Sequence, residues 1–142
     1  MGDILLAEDD VLLVRLYQKK LKNDGYDVRV ATNGEEALSE TMKEKPDLVL
    51  LDIMMPKVNG MEVLRRLKSG ADTKAIPVIV LTNLSSEEDA EKVLGLGAVA
   101  YLVKSDNPPD VVIAKVKEVL TASTRGKELP KAVPTGRKPK SG

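Results

Sequence analysis

The sequence predicts an α/β domain: a doubly wound, five-stranded parallel sheet with helices layered on both faces. Three observations carry that expectation. Short apolar runs at residues 4–7, 48–51, 77–81 and 100–103, and the alternating Val28-Arg29-Val30, are the length of strands, not helices. The segments between them repeat apolar residues at helical spacing. Glycine, proline and asparagine punctuate the boundaries. Strands alternating with helices call for parallel pairing through right-handed crossovers.

The first run, Ile4-Leu5-Leu6-Ala7, ends in the acids Glu8-Asp9-Asp10. From Val11 the periodicity turns helical, with Leu13, Leu16, Tyr17 and Leu21 among lysines, and Asn23-Asp24-Gly25 supplies a stop. Val28 and Val30 alternate around Arg29, the pattern of a half-exposed strand. Asn33-Gly34 opens a second helix carrying Ala37, Leu38 and Met42, closed before Pro46. Leu48-Val49-Leu50-Leu51 is unbroken apolar, as expected of a strand buried on both faces, and Asp52 follows it directly.

Pro56 and Asn59-Gly60 then shape a loop that leads into a helix with Val63, Leu64 and Leu67 facing inward. Pro77-Val78-Ile79-Val80-Leu81 is another buried strand, ending at Thr82. Ser85 with Glu88 forms a capping box for a helix through Val93, Leu94 and Leu96, stopped by Gly97. Ala100-Tyr101-Leu102-Val103 ends at Lys104. Pro108-Pro109 starts a last helix with Val112, Val116 and Val119 on one face.

Parallel strands place their carboxyl ends on one edge, where open α/β sheets keep ligands. Glu8-Asp9, Asp52, Thr82 and Lys104 therefore converge although they are far apart in sequence. Each has a structural explanation alone: helix-capping acids, a turn aspartate, a turn hydroxyl, a solvated charge. Four such endings in one pattern point to a site.

Composition narrows its chemistry. Charges balance at 22 basic and 22 acidic residues, so no overall field points to nucleic acid or membrane. Cysteine and histidine are both absent, which removes disulfides, thiolate and imidazole ligands, and triad catalysis. Clustered carboxylates want a cation, and an all-oxygen donor set selects Mg²⁺ first and Mn²⁺ second. Asp52 can attack phosphorus as an oxygen nucleophile, with Lys104 and the Thr82 hydroxyl facing the transferring group. A phosphatase of the haloacid dehalogenase type would want a second acid two residues after the nucleophile, where Met54 stands. A scaffold without chemistry would not need the full set.

On these residues the chain resembles the response-regulator receiver domains of two-component signalling, over about residues 3–120. The resemblance implies a flavodoxin-like three-layer fold with Asp52 as phosphoacceptor. Glu8, Asp9 and the Met54 backbone carbonyl would join Asp52 in holding the metal. It casts Met55-Pro56 through Gly60 as the loop after the acceptor, Thr82 and Tyr101 as the switch pair, and Lys104 as the phosphoryl-pairing lysine. It also implies a sensor histidine kinase or phosphotransfer protein as donor. Tyr101 would rotate inward on phosphorylation, and a downstream protein target would dock on the fourth helix, fifth strand and fifth helix. That face could also support a weak dimer.

Departures from the family pattern are Asn83 in place of a small residue, which would narrow access for small phosphodonors, and Ser105 in place of a proline. The Lys104–Ser105 bond is therefore expected to be trans. Met54 and Leu84 fall where the family governs phosphate loss, and neither can activate water, so a long-lived phosphorylated state is expected. The domain is expected to span 1–122. Residues 123–142 are expected to form a basic, disordered tail of net charge +5, from six basic residues less Glu128, leaving −5 in the rest. A stand-alone, cytoplasmic protein without a DNA-binding domain or membrane segment completes the expectation, in the manner of the chemotaxis regulators.

Overall fold

A computed structural model describes residues 2–124. It comprises β1 (Asp3–Ala7), α1 (Val11–Asn23), β2 (Asp27–Ala31), α2 (Gly34–Lys43), β3 (Leu48–Leu51), α3 (Gly60–Ser69), β4 (Val78–Thr82), α4 (Glu87–Gly95), β5 (Ala100–Val103) and α5 (Pro109–Thr124). The strands form one sheet in the order β2-β1-β3-β4-β5, every pair parallel. This is the doubly wound sheet expected from the alternation. The last helix is described through Thr124, so the expected boundary after residue 122 falls inside its final turn. Of the expected tail, residues 123–142, Ser123 and Thr124 belong to this helix and residues 125–142 lie outside the described residues.

Alternate side chains of each strand feed two cores. Leu5, Ala7, Val49, Leu51, Val78, Val80 and Tyr101 point to the side packed by Ala37, Val63, Leu64, Leu67 and Val93. Ile4, Leu6, Leu48, Leu50, Ile79, Leu81 and Leu102 meet Tyr17, Leu21, Val112, Val116 and Val119 on the other. A strand with both faces covered must be apolar throughout, which is why β3 and β4 show no polar alternation.

Three local expectations are corrected. Leu16 and Met42 are exposed, at 38 % and 71 %. Thr41 takes the buried place in α2 by donating its hydroxyl to the Ala37 carbonyl at 2.8 Å. Helical spacing defines a stripe, and its edge positions were the ones misassigned. Ser86, not Ser85, caps α4: its Oγ accepts from Asp89 N at 3.1 Å and donates to Asp89 Oδ2 at 2.7 Å. Both serines precede an acid by three residues, so pattern alone could not separate them. Among the described residues no peptide bond is cis, so Lys104–Ser105 is trans as expected. No described helix is long and apolar enough to cross a membrane.

The fold's crossover reverses at β1, which pairs with β2 on one side and β3 on the other. Loops leaving β1 and β3 therefore diverge to opposite faces and leave a crevice at their carboxyl ends. The loop after β3 is pulled tight: Gly60 N donates to the Ile53 carbonyl at 2.8 Å, and a Cβ at Gly60 would collide with the Asp52 carbonyl. Glycine is required there by close backbone approach.

Candidate functional site

Backbone hydrogen bonds set the crevice. Glu8 N donates to the Ala31 carbonyl and Asp52 N to the Ala7 carbonyl, each at 2.9 Å; Lys104 N donates to the Thr82 carbonyl at 2.8 Å. Each link extends the sheet one residue past its last strand position. The first side chains beyond β1, β3 and β5 are thus held by the sheet and not by flexible loops.

Lys104 then joins them. Its Nζ lies 2.7 Å from Glu8 Oε1 and 3.1 Å from Asp52 Oδ2. The remaining oxygens are also engaged: Asp10 N donates to Glu8 Oε2 at 3.1 Å, and Met54 N to Asp52 Oδ1 at 3.0 Å. Glu8 and Asp52 are buried, whereas Asp9 is exposed at the crevice mouth. Burial pushes the Glu8 carboxyl above its ordinary range, against the hydrogen bond with Lys104. Burial also opposes the charge on Lys104, but its hydrogen bond with Glu8 and the Asp52 charge outweigh this and hold the ammonium above its usual value.

One oxygen each of Glu8, Asp9 and Asp52 lie within 4.8 Å of one another. Two of these carboxylates, Glu8 and Asp52, share the Lys104 ammonium, and all three donors are oxygens. That set fits a hard divalent cation and leaves a charge deficit for one to fill. The sequence-predicted acids and lysine are therefore brought together.

Asp10, which the sequence placed in the same acidic cluster, has a different duty. Its Oδ1 accepts from Leu12 N at 2.9 Å and Leu13 N at 3.2 Å, capping α1. The signal was an aspartate immediately before a helical repeat.

Thr82 closes β4, fully buried, and its Oγ1 accepts from Leu84 N at 3.4 Å. Tyr101 sits two residues before the end of β5 with its ring inward and 2 % exposed. Its hydroxyl donates to the Leu84 carbonyl at 2.5 Å. Sequence reasoning missed this partner, because a backbone carbonyl carries no residue signature. Burial, and then the charge of Asp89, raise the Tyr101 phenol above its ordinary value.

Beside the acids lies an apolar cleft of about 550 Å³ walled by Ile53, Met54, Met55, Met61 and Leu84, with Asp9 at its edge. Met54 is exposed at 57 %. The flank of Asp52 is thus greasy, with no side chain on Met54 or Leu84 able to hold a water by hydrogen bonding.

Comparisons with known proteins place the chain by family and by fold. A family model, the response regulator receiver domain, matches residues 4–117. The alkaline phosphatase synthesis transcriptional regulatory protein PhoP of Bacillus subtilis is 42 % identical over 122 residues, covering 84 % of this chain and 49 % of PhoP. The chain thus spans about half the length of that curated relative. The BeF3-activated N-terminal receiver domain of Klebsiella pneumoniae RstA superposes with a TM-score of 0.76 at 36 % identity, covering 83 % of this chain and 97 % of that one. The Mn(2+)-bound form of response regulator Rcp1 gives a TM-score of 0.75 at 32 % identity, covering 92 % and 99 %.

Proposed function

This chain belongs to the response-regulator receiver-domain family, and from that premise we propose that Asp52 is its phosphoacceptor, taking a phosphoryl group from a partner histidine kinase or phosphotransfer protein. The observation that carries this is the Lys104 ammonium held at once by Glu8 and Asp52. A cation fixed against the acceptor is what a transferring phosphoryl group needs, since its charge is spread over peripheral oxygens. An Asp52 oxygen attacks phosphorus, the bond from phosphorus to the donor imidazole nitrogen breaks, and the imidazole leaves with its electron pair. These 142 residues hold no histidine, so the phosphoryl donor lies outside them.

Glu8, Asp9 and Asp52 would hold Mg²⁺, or Mn²⁺ as in the Rcp1 structure, with the Met54 carbonyl as a fourth protein ligand. Bound there, the ion supplies charge neutralisation for the phosphoryl oxygens. Glu8 contributes by fixing Lys104, while Met54 N and Lys104 orient the Asp52 carboxylate.

The output follows from Thr82 and Tyr101. A phosphoryl group on Asp52 offers the Thr82 hydroxyl a charged acceptor in place of its contact with Leu84 N. Drawing Thr82 toward Asp52 carries the following loop with it, and Tyr101 is tied to that loop at Leu84. The switch would act by stabilising the inward ring, and the surface of α4, β5 and α5 would change with it for a protein partner. The chain would act as a binding switch in the cytoplasm, catalysing only its own phosphorylation and dephosphorylation.

The test is intact mass after incubation with Mg²⁺ and a small acyl-phosphate or phosphoramidate donor. One added phosphoryl group, absent in Asp52→Asn and without Mg²⁺, is expected. Steady phosphate release with no adduct, or an adduct that survives Asp52→Asn, overturns the assignment.

A further inference from the structure

We infer that the basic segment 125–142 of this chain docks in the groove between the C-terminal end of α1 and the outer face of α5. The groove has a volume of about 660 Å³, and Asp24, Asp110, Ile113, Lys117, Glu118 and Ala122 are among its walls. Three of its wall residues are acids and one is a lysine. Each acid has a lysine partner, Asp110 with Lys20 at 2.8 Å, Glu118 with Lys115 at 2.9 Å and Asp24 with Lys117 at 3.5 Å. These pairs are solvent-exposed, and exposed pairs hold so weakly that an incoming cation can displace or share them.

The occupant is chosen by charge, composition and reach. Segment 125–142 carries Arg125, Lys127, Lys131, Arg137, Lys138 and Lys140 against Glu128, so the chain divides into −5 for residues 1–124 and +5 for the rest. Leu129, Pro130, Val133 and Pro134 alternate with the lysines. Apolar groups can therefore meet Ile113 and the alanines of the floor while ammoniums meet the acidic rim. Thr121, also in the groove wall, precedes Arg125 by four residues. From Thr121 back to Asp110 the helix measures roughly 17 Å at its rise per residue. The segment can span up to roughly 60 Å, so folding back along α5 is well within reach. Tethering also gives it an effective concentration in the millimolar range, which weak ion pairs can exploit. Docked there, it covers part of α5 and competes with partners for that helix. The docking itself does not depend on phosphorylation of Asp52.

The absence of cysteine permits a single spin label on the full chain, at Ala132→Cys, read by amide relaxation in ¹⁵N-labelled protein at dilute concentration. Enhanced relaxation is expected at Asp24, Ala114 and Glu118, falling at least about threefold in roughly 1 M salt, where screening reaches about 3 Å. It is also expected to fall in Asp24→Lys/Glu118→Lys, and the salt series on the parent stands alone if that variant misfolds. Enhancement confined to residues 121–124 overturns the proposal. So does enhancement centred on the acidic first turn of α4 (Glu87, Glu88, Asp89), or enhancement arising only between labelled and unlabelled chains.

Discussion

The Tyr101 hydroxyl donates to the Leu84 carbonyl at 2.5 Å, tying the middle of β5 to the loop that leaves Thr82. Leu84 N in turn donates to Thr82 Oγ1. One residue thus reports to the strand-end hydroxyl through its N–H and to the aromatic through its carbonyl. Tyr101→Phe removes the donor and keeps the ring, so it is expected to destabilise the fold by about 1 kcal/mol, the net worth of an ordinary hydrogen bond. Urea unfolding measures this, and no loss would show that the ring alone holds the inward pose.

Alkaline pH should weaken the fold through the same residue. Burial holds the Tyr101 phenol above 10, and burial likewise raises Tyr17. The unfolded chain gives up these protons near pH 10 while the folded chain keeps them. Stability is therefore full below pH 10 and declines as pH rises toward the folded-state values. Tyr101→Phe should flatten part of that decline. With no tryptophan, phenolate absorbance follows the titration directly.

Lys104→Met leaves Glu8 and Asp52 buried and facing each other without a cation. The expected cost is about 3 kcal/mol, the usual penalty for breaking a buried pair. It should shrink in acid as Glu8, whose carboxyl burial already pushes up, takes a proton. Chemical denaturation at neutral and acidic pH gives the comparison, and a pH-independent cost would point to lost packing instead of lost charge.

Divalent cation should stabilise the parent by about 2.7 kcal/mol once present at a hundred times its dissociation constant. Asp52→Asn and Glu8→Gln are each expected to lose most of that gain, since each removes a charge from a group whose oxygens lie within 4.8 Å. Thermal melts over a Mg²⁺ series decide it: equal gains in parent and variants would put the ion elsewhere.

Met54→Asn and Leu84→Glu each place a water-orienting group beside Asp52. Loss of the phosphoryl group is expected to speed up roughly tenfold, a barrier drop of about 1.4 kcal/mol. Radiolabel decay or intact mass over time measures it. An unchanged decay would mean that water reaches the acyl phosphate from another side.

Much of this was legible in the chain. Short unbroken apolar runs bounded by turn residues, such as 48–51, fit strands covered on both faces, and the polar residue ending each run then stands at the sheet edge. That logic assembled Glu8, Asp52, Thr82 and Lys104 with no knowledge of distances. It failed where neighbours carry the same signal. Ser85 and Ser86 each precede an acid by three residues, and apolar Met42 directly follows Thr41, which holds the buried place.

Local alternation and strand-end chemistry, both properties of neighbouring residues, thus settled the sheet, its helices and the identity of the acids and lysine from the sequence by itself. Tertiary structure alone decided who touches whom. Lys104 bridges Glu8 and Asp52, and Tyr101 finds a backbone carbonyl seventeen residues away. Such contacts depend on the relative height and twist of strands joined only through the sheet, and no spacing along the chain encodes them.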